Sequence, residues 1–522
     1  MKKKKVLIIG AGPAGLAAGY KLLKEAGTDY EVIILEAGNE IGGISKTVDY
    51  KGNLMDTGPH RFFTKDPSVL AFWHEIMPLQ GKPSFDDKLL GIEKNLAVDG
   101  PDPEKEDRVM LLRNRITRIF YNGKFFDYPI SLKFNTLKNM GFTNTIIAGF
   151  SYLKSIVLKK KETNLENFFL NRFGRKLYSM FFESYTSKLW GRHPKNIDAS
   201  WGVQRVKGIS ITAVLKNAFE KVLNIKGKTE TSLIEYFYYP KHGSGHFYKT
   251  VAKAIETMGG KILFDHEVRG INCQKDSIVS VTCKNNNSET IIKNDYVLSS
   301  MPVKDLLASF NGHQKDKNVE RIAEGLPYRD YFTVGLLLKE LKLKNETSIK
   351  TINNIIPDDW VYIHDSRVKM IRFVIFNNFS PYMVKNINEQ LWIAAEYVCD
   401  EKDELWQKND DELKDFVINE FVLMDLIAKD SVIDTHIERV KKAYPAYFDT
   451  YDEFDKVIEY LNKFPNLLCI GRNGQHRYNN MDHSILSGFV AVDIITGKIK
   501  DKTSLWEVNT EKEYLEEEKK DA

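Results

Sequence analysis

The stretch from residue 5 to residue 43 constrains the fold of this chain more than any other part of the sequence. In chain order it contains an apolar run at residues 6–9, Gly10, Gly12, Gly15, a helical segment at residues 16–26, a second apolar run at residues 32–35, and Glu36. This order of strand, glycine turn, helix, strand and acidic residue predicts a βαβ unit that holds a dinucleotide.

Each part of the predicted unit has a physical task in binding a dinucleotide. Gly10 allows the tight turn, Gly12 lets the backbone approach the pyrophosphate, and Gly15 lets the helix pack closely on the strand. The helix N-terminus offers free N–H groups and a partial positive charge to the phosphates. Glu36 is placed to accept hydrogen bonds from the adenosine ribose hydroxyls. An ordinary βαβ unit without a ligand is the alternative, and the motif alone does not distinguish NAD from FAD.

Composition narrows the class of protein. The chain has 522 residues, of which 43% are apolar and 12% aromatic, so we expect two or more domains with large cores. A net charge of +4 does not favour a nucleic-acid partner. The four cysteines, at positions 273, 283, 399 and 469, form no CxxC pair. We therefore expect free thiols in a reducing, cytoplasmic compartment, and no metal site.

Two sequence patterns bear on contact with membranes. The N-terminus runs directly into the first predicted strand, so we expect no signal peptide, and no apolar run approaches the ~20 residues that cross a bilayer. Residues 143–158 (TNTIIAGFSYLKSIVL) are rich in apolar side chains and precede Lys159, Lys160 and Lys161. We predict a buried helix of the second domain there, and the alternative is a helix that docks at a membrane surface.

The secondary-structure signals predict an α/β protein with a discontinuous cofactor domain, interrupted by a second domain that has helices and a sheet. Asn122-Gly123 between two apolar runs predicts a β-hairpin, residues 131–225 read as mostly helical, and residues 485–495 predict an apolar helix. The expected parts are a cofactor domain at residues 1–110, 240–310 and 440–500, a mostly helical substrate region at 111–239, a substrate-domain sheet and helix at 311–439, and a C-terminal tail at 501–522.

Three later segments hold more polar and aromatic side chains than packing requires. The first, residues 56–62, places His60 in a stiff loop with glycine and proline. In the second, residues 177–192, Tyr185 and Trp190 could stack on a ring, and a buried core stripe is the alternative. These segments predict contacts with a cofactor or a substrate.

The third segment, residues 471–487, joins a predicted strand to the apolar helix. Either Asp482 or Ser484 is expected to cap that helix. The free N–H groups at the helix start would then face an electron-rich ligand atom.

A second glycine pair, Gly42 and Gly43, follows Glu36 with the spacing E-x5-G-G. This extended form resembles the signature of FAD-binding flavoproteins of the amine oxidase and protoporphyrinogen oxidase superfamily. That resemblance implies a Rossmann-like FAD-binding domain of the glutathione-reductase type. The segments GPHRFF, FFESYTSKLWG and GRNGQHRYNNMDHS also resemble UDP-galactopyranose mutase, a flavoenzyme family that interconverts pyranose and furanose nucleotide sugars.

The resemblance implies a cofactor site and a substrate site. The expected FAD-binding residues are Gly10, Gly12, Pro13, Ala14, Gly15, Glu36, Gly42, Gly43, Gly58, His60, Val268, Gly471, Arg472, Asn480, Met481, Asp482 and Ser484. The expected substrate-binding residues are Tyr185, Trp190, Arg205, Arg372 and Tyr478, and the expected catalytic residues are His60, Arg205 and Arg372. In these roles His60 lies by the flavin, and the two arginines face a diphosphate.

The function that the resemblance implies is an FAD-dependent rearrangement or oxidation of a nucleotide sugar through flavin N5. The alternative is an FAD-dependent oxidase or dehydrogenase of the amine oxidase or protoporphyrinogen oxidase type, acting on an amine or a hydrophobic substrate. A non-catalytic flavin-binding scaffold is a third alternative, which the density of aromatic and arginine residues disfavours.

Overall fold

The computed structural model describes residues 2–130, 134–199, 232–233, 236–285, 288–312, 316–509 and 517–518. Its strands, in chain order, are β1 (Lys4–Ile9), β2 (Tyr30–Leu35), β3 (Thr47–Tyr50), β4 (Asn53–Asp56), β5 (Met110–Asn114), β6 (Thr117–Tyr121), β7 (Lys124–Asp127), β8 (Ser232–Leu233), β9 (Tyr236–Pro240), β10 (Lys261–Leu263), β11 (Glu267–Gln274), β12 (Ser277–Asn285), β13 (Ser288–Lys293), β14 (Tyr296–Ser299), β15 (Phe310–Asn311), β16 (Tyr328–Leu338), β17 (Trp360–Ile363), β18 (Arg372–Ile375), β19 (Leu391–Cys399), β20 (Val432–Pro445), β21 (Leu467–Cys469) and β22 (Glu517–Glu518).

The helices of six residues or more are α1 (Pro13–Ala26), α2 (Pro67–Ile76), α3 (Phe85–Leu90), α4 (Phe134–Met140), α5 (Phe142–Val157), α6 (Leu165–Phe181), α7 (Glu183–Trp190), α8 (Ser244–Thr257), α9 (Val303–Ala308), α10 (Lys317–Glu324), α11 (Asp410–Leu423), α12 (Phe454–Asn462) and α13 (Met481–Ile495). Four-residue helices lie at Phe376–Phe379, Glu404–Gln407, Gly471–Gly474 and Ser504–Glu507.

A five-stranded parallel sheet in the order β10–β2–β1–β14–β21 carries the glycine turn. On one face, α1, α8 and α13 pack over Val6 and Ile8. On the other face, β11, β12, α9 and α12 cover Leu7 and Ile9. Because both faces are buried, the strands are unbroken apolar runs. The strands come from three separate parts of the chain, so the predicted discontinuous, Rossmann-like architecture is confirmed.

A seven-stranded sheet forms the second region, in the order β20–β16–β19–β18–β17–β6–β7. Alternate residues of β16 and β19, such as Phe332 and Tyr397, pack on α11. The opposite face, with Leu337 and Trp392, packs on β4. This face therefore lies against the segment that leads to His60. Strand β20 runs through position 440, where the sequence pattern predicts a return to the cofactor domain, and the domain boundaries stay predictions.

The hairpin predicted at Asn122-Gly123 is present. It joins β6 to β7, with Tyr121 opposite Lys124. Asn122 and Gly123 have φ angles of 49° and 76°, the positive values that a tight two-residue hairpin turn requires. The hairpin is therefore confirmed, and its turn chemistry is local to two residues.

The buried helix predicted at residues 143–158 is wrong. Helices α4 to α7 do form in this part of the chain, but α5 buries fully only Ala148. The side chains of Phe142 and Phe150 are 83% and 71% exposed. The apolar content therefore predicted the helix correctly but its burial incorrectly. The sequence pattern does not reveal whether another element covers the apolar face. No helix in the described ranges is long and apolar enough to cross a bilayer.

Candidate active site

The turn between β1 and α1 requires glycine at two positions. Gly10 has a φ of +100°, and a Cβ there would lie 2.1 Å from the Ser300 Oγ. A Cβ on Gly15 would lie 2.0 Å from the carbonyl oxygen of Gly10. The first position needs the conformational freedom of glycine, and the second needs its small size so that α1 can pack on the turn.

Gly12 differs from its neighbours because its own chain leaves space beside it. A Cβ there would meet the Gly43 Cα at 3.9 Å, which is an ordinary contact. The N–H of Gly42 donates to the carbonyl oxygen of Ala11 at 3.0 Å, which brings the second glycine pair beside the first. The two glycine segments line one backbone surface at the N-terminus of α1, where a phosphate group would find free N–H donors.

Glu36 is tied to both loops at the end of β2. Its Oε2 accepts from the Ala11 N–H at 2.8 Å, and its Oε1 accepts from the Gly38 N–H at 2.9 Å. The carboxylate is half-buried. Each oxygen has a second lone pair for a ribose hydroxyl, so Glu36 can anchor the turn and a ligand together.

The N-terminus of α13 lies beside that of α1. A Cβ on Gly471 would lie 3.0 Å from the Ala14 Cβ, and one on Gly488 would lie 2.5 Å from the Ala14 carbonyl oxygen. The helix begins at Met481, and Asn480 is its N-cap, with the Asn480 N–H donating to His483 Nδ1 at 3.3 Å. The predicted cap at position 482 or 484 is therefore wrong, because the helix starts one turn earlier than the apolar run.

His60 lies at the junction of the cofactor domain and the seven-stranded sheet. Its Nδ1 is 3.9 Å from the Oδ2 of Asp56 and 3.5 Å from the Ser244 Oγ. Asp56 is buried and also accepts from the Tyr239 hydroxyl at 2.7 Å. A buried carboxylate thus lies next to the histidine ring. Gly58, which precedes it, has a φ of +151°, and a Cβ there would lie 3.4 Å from the imidazole Cε1.

A row of polar side chains crosses five strands of the seven-stranded sheet. Directly paired residues point to the same face of a sheet, so these side chains share one face. The members of this polar row are Glu438 on β20, Thr333 on β16, Glu396 on β19, Arg372 on β18 and Tyr362 on β17. The face is the one that lies against β4.

Arg372 and Glu396 form an ion pair at the centre of the polar row. The Arg372 Nε donates to the Glu396 Oε2 at 2.5 Å. Glu396 is 1% exposed, whereas Arg372 keeps 16% of its side chain exposed, so a ligand can reach the arginine. Burial raises the pKa of Glu396, and Arg372 opposes that rise. The Glu396 Oε1 and the Thr333 Oγ1 have no hydrogen-bond partner within the described residues, so a donor from a bound molecule would satisfy them.

Tyrosine rings surround the exposed end of Arg372. The Nη2 of Arg372 is 3.5 Å from the Tyr444 hydroxyl. Tyr444 stacks on Tyr478 with ring centres 5.6 Å apart, and the Arg472 guanidinium lies 4.8 Å from the Tyr478 ring centre. Arg472 is fixed by its Nε, which donates to the carbonyl oxygen of Asn479 at 2.8 Å. These contacts join the cofactor domain to the polar row.

Further aromatic rings near Arg372 come from α7 and β17. Tyr185 packs edge-on against Tyr362 at 5.5 Å and stacks on His364 at 4.7 Å. Burial lowers the pKa of His364 to about 3, with a smaller contribution from the nearby ammonium of Lys188. The imidazole is therefore neutral at physiological pH. Tyr185, Tyr362 and Tyr444 all lie close enough to Arg372 to act on its charge, and we call the space at the exposed end of the Arg372 side chain the tyrosine-lined cavity.

Comparison with known proteins identifies the family. The profile of the flavin-containing amine oxidoreductases matches residues 13–495. The chain belongs to this family. FAD is the cofactor of this flavoenzyme, and the surface between Gly12 and Gly43 fits it, because a side chain at Gly12 would occupy the space beside the phosphate-binding turn.

Individual relatives of this flavin-containing amine oxidoreductase differ in activity. A crystal structure of reduced UDP-galactopyranose mutase has a TM-score of 0.72 and 20% identity, covering 96% of this chain and 97% of that one. The probable UDP-galactopyranose mutase of Klebsiella pneumoniae is 26% identical over 212 residues, 38% of this chain and 44% of that protein. Polyamine oxidase 1 of Oryza sativa subsp. japonica is 39% identical over 57 residues, 11% of each chain. The matched segments span less than half of these two curated relatives, and the structural likeness shows the fold alone.

Two of the expected site residues of the flavoenzyme are buried in apolar clusters. Trp190 is buried in the apolar cluster of α6 and α7, and Val268 is buried beneath the parallel sheet. Arg205 lies outside the described residues. Their roles in binding stay predictions.

The sequence interpretation also missed members of the cavity. These are Glu396, Thr333, Tyr362, His364 and Tyr444. Glu396 had a usable signal, because a carboxylate inside the apolar strand LWIAAEYV is costly to bury without a partner. The others follow no local motif.

Proposed function

We propose that this flavoenzyme binds a nucleotide sugar and rearranges it in the manner that the name UDP-galactopyranose mutase describes. The observation that carries the proposal is Arg372, a partly exposed guanidinium at the base of a tyrosine-lined cavity. A planar guanidinium binds a phosphate through two parallel hydrogen bonds. Tyrosine rings supply flat faces for a sugar or a base, together with hydroxyls for hydrogen bonds.

The cofactor would lie on the backbone surface described above. Gly12, Gly43 and the N-termini of α1 and α13 would hold its phosphates and the pyrimidine end of the flavin, and Glu36 would hold its ribose. When bound and reduced, the flavin would supply a nucleophilic N5. The contact of Arg472 with the Tyr478 ring would fix the position of the substrate side of the cavity relative to the cofactor side.

The polar row would stabilise the negative charge of the diphosphate. The short bond to Glu396 uses the Nε of Arg372, and the Nη2 makes only a long contact of 3.5 Å with the Tyr444 hydroxyl, so the terminal nitrogens would be able to turn to a phosphate. Glu396 fixes the orientation of the guanidinium, and its buried charge keeps the pKa of Arg372 above the ordinary value despite burial. A preorganised cation of this kind stabilises charge that grows on a leaving diphosphate.

A second candidate is an FAD-dependent oxidase of the amine oxidase type. The observation that favours it is the Glu396 carboxylate among aromatic rings, which is a site that can also attract an ammonium group. The 39% identity to a polyamine oxidase over 57 residues also supports this candidate. Arg372 opposes it, because its charge would repel a cationic substrate.

One experiment separates the two candidates. The purified FAD-loaded chain is reduced with dithionite and mixed with UDP-galactopyranose and other nucleotide sugars. Ring-rearranged product that forms only with reduced flavin supports the proposal. In the second arm the chain with oxidised FAD, without dithionite, is mixed with an amine or a porphyrinogen. Bleaching of that flavin or consumption of oxygen, without reaction of any nucleotide sugar in the first arm, overturns the proposal in favour of the oxidase.

A further inference from the structure

Helix α5 presents its apolar side to solvent. The outward side chains are Phe142, Ile146, Phe150, Leu153, Ile156 and Val157, and the last is 79% exposed. A helix of a globular domain normally buries such a stripe and exposes its polar side. A contiguous exposed apolar face of this kind marks a contact with a membrane or with another protein.

The polar side of α5 faces the protein, and tight packing fixes this orientation. The Ser151 Oγ accepts from the Lys176 N–H at 3.1 Å. Gly174 interrupts α6 with a φ of +72°, and a Cβ there would lie 2.8 Å from the Ser151 backbone. The hydroxyl of Thr145 donates to the carbonyl oxygen of Leu137 on α4 at 3.3 Å. Rotating the helix to bury its apolar stripe would break this close contact with α6.

The charged residues of α5 and of the short segment after it, up to Lys161, are all lysines. No acidic residue occurs between Phe142 and Lys161, whereas Lys154 flanks the apolar face and Lys159 and Lys160 follow its last turn. The side chains of Lys154, Lys159, Lys160 and Lys161 are all exposed. The next acidic side chains along the chain are already paired: Glu162 with Arg172 at 2.6 Å and Glu166 with Arg175 at 2.8 Å. The surface therefore complements an anionic partner.

We propose that α5 docks the protein on an anionic lipid bilayer. Its 16 residues are about 24 Å long, so the helix lies in the plane of the interface, with its apolar face at the headgroup–acyl boundary and Lys159, Lys160 and Lys161 against the headgroups. A contact between α5 helices of two copies would bury the same lysines without an acidic partner on either face. Charge thus favours lipid over a second copy.

The test is flotation of the full FAD-loaded chain with vesicles of phosphatidylcholine and phosphatidylglycerol in equal parts, compared with phosphatidylcholine alone. We expect binding to the anionic vesicles and at least about tenfold weaker partitioning for Phe150→Asp. Joint replacement of Lys159, Lys160 and Lys161 by glutamine is expected to weaken binding about a hundredfold. The matched control is Val98→Asp, which changes an apolar side chain that is 96% exposed in a loop.

We expect each variant to fold, because the changed side chains are exposed. Retained FAD absorbance verifies it. Vesicle binding by the wild type that Phe150→Asp abolishes and Val98→Asp leaves intact supports the proposal. Absence of binding by the wild type overturns it. A wild-type dimer in light scattering that Phe150→Asp converts to a monomer, without any vesicle binding, also overturns it and assigns the face to a second copy. None of these readouts depends on the reaction that the enzyme catalyses.

Discussion

The cofactor turn and the polar row are built by opposite means. The turn uses main-chain groups from a single stretch, residues 10–43. It depends on glycines, which have no side chain to block the approach of a ligand. The polar row uses side chains from five strands that are far apart in the sequence, at positions 333, 362, 372, 396 and 438. A site made of backbone leaves a sequence signature, whereas a site made by strand pairing leaves isolated polar residues in apolar strands.

The two regions also differ in what each residue costs to remove. At the turn, the cost is steric, since a Cβ at Gly15 would overlap the Gly10 carbonyl oxygen. In the polar row the cost is electrostatic, since Glu396 is a buried carboxylate with one cationic partner. Three substitutions, each with a matched control, test this contrast from the largest expected effect to the smallest, and a fourth tests the buried imidazole of His364.

Arg372→Ala should have the largest effect, because it leaves the buried Glu396 carboxylate without its cation. We expect the free energy of unfolding in urea to fall by about 3–5 kcal/mol. Binding of UDP should weaken far more than binding of FAD. The matched control is Arg192→Ala: this arginine pairs with Asp449 at 2.7 Å, but the two side chains are 38% and 44% exposed, so its loss should cost about 0–1 kcal/mol.

Equal losses of stability in the two arginine variants would break the contrast, since the polar row would then behave as an ordinary surface pair. Equal affinity of wild type and Arg372→Ala for UDP would remove the arginine from the proposed substrate site.

Gly15→Ala should destabilise the fold by roughly 2–3 kcal/mol, because the new methyl group overlaps the turn. Gly12→Ala is its matched partner, since the same methyl group meets only an ordinary contact at 3.9 Å. We expect Gly12→Ala to keep wild-type stability and to bind FAD at least about tenfold more weakly. Thermal unfolding of the apoprotein and titration with FAD measure the two effects. Full FAD affinity in Gly12→Ala would move the phosphates away from this turn.

Glu36→Ala should weaken FAD binding by roughly 1.5 kcal/mol, because charged hydrogen bonds to the ribose and to the turn are lost. Titration of the apoprotein with FAD measures the change. Glu40→Ala is the control, since Glu40 is on the same loop but is exposed and paired with Lys46. A similar loss in both variants would indicate a general charge effect and no specific contact.

His364→Gln should change the pH dependence of stability. The folded-state pKa of about 3 lies below the unfolded value of about 6.5, so the unfolded chain binds one more proton between these limits. Stability from this group is present above pH 6.5 and is lost as the pH falls towards 3, at about 1.4 kcal/mol per pH unit. The variant lacks that slope, so urea unfolding at several pH values should show the two proteins converging as the pH falls. A constant difference at every pH would contradict the buried, neutral imidazole.

Local patterns in the sequence were sufficient for several elements. Asn122-Gly123 between two apolar runs was enough to predict the hairpin, and the order of strand, glycine turn, helix and strand was enough to predict the βαβ unit. The start of α13 was misjudged, because Asn480 caps the helix and Met481 opens it before the apolar run begins. The environment of α5 was misjudged for a different reason, since a helix pattern states which face is apolar and not what covers it.

The sequence by itself determined the βαβ unit, its glycine turn and the class of cofactor, because a close approach of backbone to phosphate permits few residue types at fixed spacings. Only the tertiary structure decided that Arg372 meets Glu396 beneath a ring of tyrosines, and that α5 turns its apolar side outward. Strand register and helix orientation are set by the packing of elements distant in the chain, and no short-range spacing encodes them.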